Sequence, residues 1–186
     1  METISLIPHP DFLPARLRGV TVEYRFADDH LFLAYGIDGA EHVRLPTDGS
    51  PGRQDGLWQS SCFELFAAGR EGLGYREFNF APLSRWAAYR FDGYRDGMAD
   101  LALSADPQLV DSRLDDRGGG FPARYEFDVI LRRYDLPAGP ICLGLSAVIE
   151  ELDGAKSYWA VRHPSGKPDF HHRDCFALEL PAPTAA

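Results

Sequence analysis

Apolar and polar residues alternate along three neighbouring segments near the middle of the chain. The segments are CFELF, YREFNF and WAAYRF, and all three lie within residues 57–98. Alternation with a period of two, rich in aromatic residues, is typical of half-buried strands. The connecting stretches GREGLG and APLS contain the residues that favour tight turns. The pattern therefore predicts three strands joined by two turns as the centre of the fold.

The alternation also assigns the side chains of these strands to two sheet faces, because successive residues of a strand point in opposite directions. The face predicted to point into a core carries Phe63, Leu65, Phe78, Phe80, Ala87, Tyr89 and Phe91. The opposite face is predicted to carry Glu64, Glu77, Asn79, Trp86 and Arg90. This mixture of carboxylate, amide, guanidinium and indole groups suits a polar ring-shaped ligand, and it also suits an ordinary solvated sheet face.

Further short strands are predicted on both sides of this centre. They are VTVEYRF, LFLAYGI, RYEFDVILRR, CLGLSAVIEE, SYWAV and CFALEL, with two short strands around Pro107 in ADLALSADPQLVDSRLDD. Turns are predicted at Asp28-Asp29 and at Gly118-Gly119-Gly120. We expect an extended lead-in over residues 1–18 and a tail over residues 181–186.

About ten short strands at hairpin spacing, without a segment that reads as an amphipathic helix, predict an all-β fold. We expect an antiparallel β-sandwich of the jelly-roll or immunoglobulin-like type. The sequence contains no internal repeat and no linker-like change in composition, so residues 1–186 are expected to form one domain.

The composition is that of an ordinary soluble globular protein, with 45% hydrophobic and 25% charged residues. The net charge of −9 argues against non-specific binding to nucleic acid or to anionic lipid. No apolar run approaches the roughly 20 residues that span a bilayer, and METISLIPHPDF lacks the features of a secretory signal. The cysteines are widely spaced and form no CxxC motif, which predicts free thiols in a reducing cytoplasm.

Three longer segments together resemble a known group of proteins. They are LWQSSCFELF, EFNFAPLSRWAAYRFDGYR and YWAVRHPSGKPDFHHRDCFALEL, which cover most of residues 57–180. They resemble the DOMON-like proteins of bacteria, which are relatives of the family-nine carbohydrate-binding modules. The resemblance implies a β-sandwich that binds a saccharide.

The resemblance also implies residues for the sugar site. A Trp six residues before an acidic strand residue helps to form the site of the modules, and Trp58 and Glu64 match that pair. An Arg that follows the next strand contacts sugar hydroxyls there, and Arg85 is the match by spacing. The second aromatic of the clamp falls at Phe170.

The polar loop RHPSGKPDFHHRD contains the remaining candidates, His171 and His172. We expect this loop to fold over the edge of the central sheet, with its ends held by Trp159 and Phe176. Its spacings match no zinc motif, so no dedicated metal site is expected. Calcium and haem stay alternatives, because other DOMON domains hold haem through a Met and a His and this chain has Met98.

Three functional hypotheses follow. The first is a non-enzymatic module that binds a small saccharide or a similar polar ring ligand. The second is an interaction or scaffold domain that has kept the fold without a sugar site. The third is a glycan hydrolase that uses Glu64 and Glu77, which requires two carboxyl groups roughly 5–10 Å apart and a raised pKa on one of them. Self-association into a homo-oligomer stays open in each case.

Overall fold

A computed structural model describes residues 1–27, 29–115 and 123–181, with the backbone alone for residues 111–115. The described residues form strands and short 3-10 helices, with no α-helix among them. The strands are β1 (Glu2–Ser5), β2 (Ile7–Pro8), β3 (Gly19–Ala27), β4 (His30–Asp38), β5 (Gly52–Arg53), β6 (Cys62–Gly69), β7 (Tyr75–Ala81), β8 (Arg85–Phe91), β9 (Ala99–Asp100), β10 (Gln108–Asp115), β11 (Arg124–Arg132), β12 (Ile141–Glu150), β13 (Lys156–Ala160) and β14 (Leu178–Leu180). The 3-10 helices are Ala40–His42, Leu57–Gln59, Arg133–Asp135 and Arg173–Cys175.

The strands pair into two sheets. The smaller sheet has five strands in the order β1-β3-β4-β11-β10. The larger sheet has nine, and its main path runs β2-β13-β12-β6-β7-β8-β5, with β14 paired to β12 and β9 paired to β8. Among the described strands, the short β5 alone runs parallel to its neighbour. The predicted all-β class and antiparallel sandwich are confirmed.

The two sheets pack face to face on a continuous apolar core. Phe63 of the larger sheet meets Tyr35 and Phe127 of the smaller sheet, at ring-centroid distances of 4.8 and 4.9 Å. The Tyr35 hydroxyl also donates a hydrogen bond of 2.8 Å to the backbone carbonyl of Glu64. Large aromatic side chains bury the most apolar area per residue, so this cluster contributes strongly to the packing of one sheet on the other.

The larger sheet is buried on both faces. In β6, Phe63 and Leu65 point into the core between the sheets, whereas Cys62 and Phe66 belong to a second apolar cluster on the outer face. The faces predicted for β6 and β7 are therefore confirmed. Large apolar clusters are rarely left exposed to solvent, so we expect another segment to pack on this outer face and cover it.

A long connection, residues 161–177, provides that cover, and we call it the covering loop. It starts after β13 and ends before β14, and both strands pair with β12. Gly144 of β12 permits the close contact, because a Cβ atom there would lie 3.0 Å from the carbonyl oxygen of Cys175. The loop thus lies across the outer face, whereas the sequence predicted a fold over the sheet edge.

The last predicted strand, CFALEL, is shorter than expected. Residues 178–180 form β14, while Cys175 ends the 3-10 helix Arg173–Cys175. The Cys175 amide donates to the carbonyl of His172 at 2.9 Å, a turn contact that replaces pairing with β12. The alternation in the sequence continues through this helical turn, which explains why the pattern did not reveal it.

Strand β8 has the opposite orientation from the one predicted. Trp86 lies in the core between the sheets, directly opposite Phe80. The outer face carries the other residues of the alternation, Ala87, Tyr89 and Phe91. Ala81 pairs with Arg85, so the β7–β8 turn contains three residues. A turn one residue shorter or longer would shift the register by one and reverse every side chain of β8.

Other predictions concern the connections. The two short strands expected around Pro107 are β9 and β10. Of the turn at Asp28-Asp29, Asp28 lies outside the described residues, although Ala27 pairs with His30 on either side of it. The turn at residues 118–120 and residues 182–186 of the tail also lie outside them.

All three cysteines are free thiols. No helix in the described ranges is long and apolar enough to cross a membrane.

Candidate functional site

A cavity of about 860 Å³ lies on the outer face of the larger sheet, beside the covering loop. Its floor is made by outward side chains of the strands, namely Glu64, Phe66, Glu77, Tyr89, Phe91, Val148 and Tyr158. The rim is made by Trp58, Gln59, Arg95, Met98 and Lys156, and by Pro168, Phe170 and His171 of the covering loop. The cavity therefore combines carboxyl groups from the sheet with aromatic rings from the sheet and the loop.

The carboxyl group of Glu64 lies at the base of the cavity and is 3% exposed. Its Oε2 accepts a hydrogen bond of 3.3 Å from the Ser146 hydroxyl on the neighbouring strand β12. The structure gives Oε1 no hydrogen-bond partner among the described residues. Because Oε1 belongs to a side chain that lines the cavity, it is available to a ligand.

Glu77 is the second carboxyl group of the floor and is held by two neighbours. The Asn79 amide donates a hydrogen bond of 2.7 Å to its Oε1. Its Oε2 lies 3.8 Å from Nε2 of His171, which is longer than a hydrogen bond. Asn79 itself is fully buried. It therefore positions Glu77 from behind and does not line the cavity.

Burial raises the pKa of both carboxyl groups. Burial, and after it the charge of Glu77, raises the pKa of Glu64 to about 8, against smaller opposing effects of Ser146 and Arg95. Burial also raises the pKa of Glu77, and the hydrogen bond from Asn79 partly offsets this. A protonated carboxyl group donates one hydrogen bond and still accepts others. At neutral pH, Glu64 can therefore act as either donor or acceptor towards a ligand.

Aromatic side chains of β8 form one wall. The Tyr89 hydroxyl donates a hydrogen bond of 2.6 Å to Oδ1 of Asp55, which fixes the orientation of its ring. The Phe91 ring stacks on Tyr75, with a centroid distance of 4.6 Å and an interplanar angle of 8°. Both rings are thus held in place before any ligand arrives, which lowers the entropy cost of binding.

The covering loop is attached to this wall by polar contacts. Asp169 accepts hydrogen bonds from the Tyr94 hydroxyl at 2.5 Å and from Nη2 of Arg95 at 2.8 Å. Nδ1 of His171 is hydrogen-bonded to the Tyr75 hydroxyl at 2.7 Å. Burial, followed by the charge of Arg95, lowers the pKa of His171 to about 4, so its ring is neutral at physiological pH.

Trp58 stands at the rim, on the 3-10 helix Leu57–Gln59, with 55% of its surface exposed. Leu57 is buried and anchors the helix on the outer-face cluster. Gly56 adopts φ 75°, a left-handed conformation that glycine allows at little cost. The carbonyl of Gln59 accepts a hydrogen bond of 2.6 Å from Nζ of Lys156. The indole is therefore presented to solvent on an anchored segment.

The structure brings together five of the residues predicted from the sequence. Lining one cavity are Trp58, Glu64, Glu77, Phe170 and His171. Asn79 lies directly behind Glu77, as described above.

Two arginines predicted for the site lie elsewhere. Arg85 is buried, and its Nε donates to the Pro82 carbonyl at 3.0 Å within the β7–β8 turn. It lines a separate depression of about 290 Å³. Arg90 is exposed and forms an ion pair of 3.1 Å with Asp92. Its position in β8 places it on the opposite face from Tyr89, so it cannot contact the same cavity.

Two aromatic candidates also lie outside the cavity. Trp86 is in the core between the sheets because the register of β8 differs from the prediction. His172 is half-exposed, and its Nδ1 accepts a hydrogen bond of 3.2 Å from the Asp174 amide. It caps the 3-10 helix Arg173–Cys175 and is absent from the cavity lining.

Sequence reasoning missed several residues of the cavity. Tyr89 and Phe91 were assigned to the core, and the length of the APLS turn was the signal that could have corrected them. Arg95 lies in the short loop after β8, with a left-handed φ of 53°, and its side chain donates to Asp169. No sequence pattern indicated Arg95, Lys156 or Tyr158, because their positions depend on contacts between distant segments.

The donor groups of the cavity fit neither haem nor calcium. Met98 and His171 both line it, but Nδ1 of His171 is bonded to Tyr75 and Nε2 faces Glu77. Iron bound to Nε2 would have to fit within the 3.8 Å between this nitrogen and Oε2 of Glu77. Calcium takes about six to eight oxygen ligands, and the floor offers two carboxyl groups. Within the described ranges, no group of three or more His, Cys, Asp or Glu is placed to hold a metal ion.

No protein-family model and no curated protein sequence matches this chain. The solved structures that share its fold include two carbohydrate-binding proteins. A candidate carbohydrate-binding protein from Bacteroides uniformis is 14% identical, with a TM-score of 0.67 over 94% of this chain and 83% of that chain. A family-9 carbohydrate-binding module from Caldicellulosiruptor kristjanssonii, solved in complex with glucose, is 12% identical, with a TM-score of 0.52 over 94% of this chain and 81% of that chain. At these identities the likeness establishes a common fold.

Proposed function

We propose that the chain is a non-enzymatic carbohydrate-binding module that binds a mono- or oligosaccharide reversibly in this cavity. One observation carries the proposal: an exposed indole at the rim and buried carboxyl groups on the floor line the same cavity. A sugar ring has an apolar face of C–H groups and an edge of hydroxyl groups, so a sugar site needs both kinds of contact. The fold shared with a module that binds glucose supports the same function.

Trp58 is the residue that we expect to stack on the sugar. Its indole is exposed, sits on an anchored helix and lines the cavity, so it offers an aromatic surface to a ligand there. Phe170 of the covering loop lies on the rim of the same cavity and supplies a second aromatic surface. Stacking would hold the ring of the sugar, whereas Glu64 and Glu77 would bind its hydroxyl groups.

Affinity is expected to be modest. A cavity of this kind stacks one or two sugar rings and forms a few charge-assisted hydrogen bonds, and part of that energy is lost to desolvation. Dissociation constants on the order of micromolar to millimolar follow.

The test is titration calorimetry after a glycan array has identified bound sugars, with two tryptophan variants as a matched pair. Trp58→Ala should abolish binding and leave the free energy of unfolding almost unchanged, because the side chain is largely exposed. Trp86→Ala should destabilise the fold by about 3–5 kcal/mol, because the same change then leaves a cavity in the core. If Trp58→Ala unfolds the protein as Trp86→Ala does, Trp58 is a packing residue and the scaffold hypothesis is correct.

The same experiment separates binding from hydrolysis. A hydrolase that used Glu64 and Glu77 would release reducing sugars from the bound oligosaccharide over time. We expect an unchanged oligosaccharide after prolonged incubation. If reducing sugars are released and Glu64→Gln abolishes their release, the protein is a glycan hydrolase and not a binding module.

A further inference from the structure

The floor of the cavity holds two acidic side chains whose hydrogen-bonding capacity is only half used. Oε2 of Glu64 accepts from Ser146, and Oε1 of Glu77 accepts from Asn79. The other oxygen of each carboxyl group has no hydrogen-bond donor among the described residues. Both side chains are more than nine-tenths buried and line the cavity, so their free oxygens are available to a ligand there.

The basic groups around the cavity are directed to other partners. Nη2 of Arg95 forms an ion pair of 2.8 Å with Asp169, which holds the covering loop. Nζ of Lys156 donates to the Gln59 carbonyl at the rim. His171 is neutral at physiological pH. The two carboxyl groups of the floor therefore lack a cation of the protein in direct contact with their free oxygens.

We infer that the ligand carries a protonated amine, so that the cavity binds an amino sugar in preference to a neutral sugar. This inference rests on the proposed function and narrows its ligand class. An ammonium group has three donors and no acceptor, which matches two carboxyl oxygens that accept. A neutral hydroxyl group can donate only one hydrogen bond and brings no charge to the buried carboxyl groups.

The aromatic residues favour the same ligand. Tyr89 and Phe91 line the cavity beside Glu77, and Tyr89 lies directly opposite Glu77 in the β7–β8 pairing. The face of an aromatic ring attracts a cation at distances below about 6 Å. Carboxyl groups and aromatic rings therefore converge on one region of the floor.

Binding of an ammonium group should also release a proton. The free protein keeps Glu64 mainly protonated below pH 8. A nearby positive charge lowers the pKa of a carboxyl group, so Glu64 ionises when the amine arrives. A neutral sugar has no such effect. Proton release thus distinguishes a charge contact at Glu64 from simple hydrogen bonding.

The experiment is titration calorimetry at pH 6.5 with glucosamine, galactosamine and mannosamine. Each is compared with its neutral parent sugar and its N-acetyl derivative, in two buffers that differ in ionisation enthalpy. At least one amine should bind about tenfold or more tightly than its parent and its N-acetyl derivative. That binding should release protons to the buffer.

Two variants and a control test whether Glu64 and Glu77 cause the preference for the amine. Glu64→Gln and Glu77→Gln keep the shape of the side chain and remove the charge, so each should reduce the preference for the amine. The proton release should disappear in Glu64→Gln. Glu71→Gln changes an exposed residue of the β6–β7 turn, and it should behave as the wild-type protein does.

The experiment distinguishes a failure of the amino-sugar inference from a failure of the proposed function. If a neutral sugar binds as tightly as every amine, the amino-sugar inference is wrong and the proposed function stands. If none of these sugars binds and the glycan array is empty, both are wrong. If the amine is preferred but both glutamate variants keep the preference, the charge contact lies elsewhere and the inference is overturned.

Discussion

Glu64 is buried in a way that links the stability of the fold to pH. Its carboxyl group has a pKa of about 8 in the folded protein because burial disfavours its charge, whereas an unfolded chain restores the ordinary value. Between about pH 4.5 and pH 8 the folded state therefore binds more protons at this residue than the unfolded state. Stability then decreases as pH rises through this range.

Glu64→Gln should remove this contribution. The variant should be less stable than the wild-type protein, or equal to it, near pH 5, and its stability relative to the wild-type protein should improve by a few kcal/mol by pH 9. Chemical denaturation at half-unit steps from pH 5 to pH 9 measures the difference between the two proteins. Glu71→Gln serves as the control and should follow the wild-type curve. Parallel wild-type and Glu64→Gln curves would show that Glu64 titrates normally.

His171 contributes to the same pH profile with the opposite sign. Its pKa is lowered to about 4 in the folded protein, while the ordinary value is 6.5. Between these values the unfolded state binds the additional proton, so the stability that His171 contributes is lost as pH falls from 6.5 to 4. Glu64 therefore lowers the stability of the fold as pH rises, and His171 lowers it as pH falls.

At the scale of elements, the covering loop decides whether the cavity exists. Phe170 and His171 reach the rim from this loop, and Asp169 between Pro168 and Phe170 attaches it to the segment after β8. Charge-assisted hydrogen bonds of this kind are stronger than neutral ones. The position of the loop therefore depends on the half-buried Asp169 more than on Asp174, the other acidic residue of the loop, which is exposed.

Asp169→Asn should loosen the covering loop without unfolding the sandwich. We expect faster proteolysis within residues 161–177, a sugar affinity several-fold lower, and a loss of about 1 kcal/mol in the free energy of unfolding, because the pair is partly exposed. Limited proteolysis and calorimetry measure these effects. Asp174→Asn is the matched control and should change neither. Equal effects of the two variants would show that Asp169 does not hold the loop.

The sequence predicted those parts of the site that depend on local alternation. In the centres of β6 and β7, Glu64, Glu77 and Asn79 alternate with phenylalanine and leucine residues, so the faces of Phe63, Glu64 and Glu77 followed directly. In β8 both sets of side chains are apolar or aromatic, and the alternation alone could not distinguish the faces of Trp86 and Tyr89. The number of residues in the preceding turn decided the register.

The remainder of the cavity could not be predicted because it depends on contacts between distant segments. Asp169 meets Tyr94 and Arg95 across a separation of more than seventy residues. The alternation of a strand carries no information about such a contact. The expectation of a second aromatic residue in KPDFHH did indicate Phe170, which lines the cavity. The pattern of polar residues in the loop contained no such signal.

At the scale of the whole molecule, the core couples the two sheets through a few large side chains. Phe63 of the larger sheet stacks on Phe127 and contacts Tyr35, both of the smaller sheet. The hydrogen bond from Tyr35 to the backbone of β6 adds a polar contact between the sheets. Loss of packing in this cluster would expose the inner faces of both sheets together, so we propose that they unfold as one cooperative unit.

The tryptophans make this proposal testable in the intact protein. Trp58, Trp86 and Trp159 all belong to the larger sheet or to the helix that precedes β6, so tryptophan fluorescence reports on that side of the sandwich. Far-ultraviolet circular dichroism reports on the strands of both sheets. Denaturant titrations followed by the two signals should therefore give coincident transitions with one midpoint.

Phe63→Ala should move both transitions by the same amount, with a loss of about 3–5 kcal/mol in the free energy of unfolding. Phe32→Ala is the matched control, because Phe32 lies in the smaller sheet on a half-exposed position beneath Arg25. Phe32→Ala should lower the free energy of unfolding much less, because removal of this ring opens no cavity between the sheets. If fluorescence and circular dichroism separate in the wild-type protein, or if Phe63→Ala shifts the fluorescence transition alone, the two sheets unfold independently and the single cooperative unit is wrong.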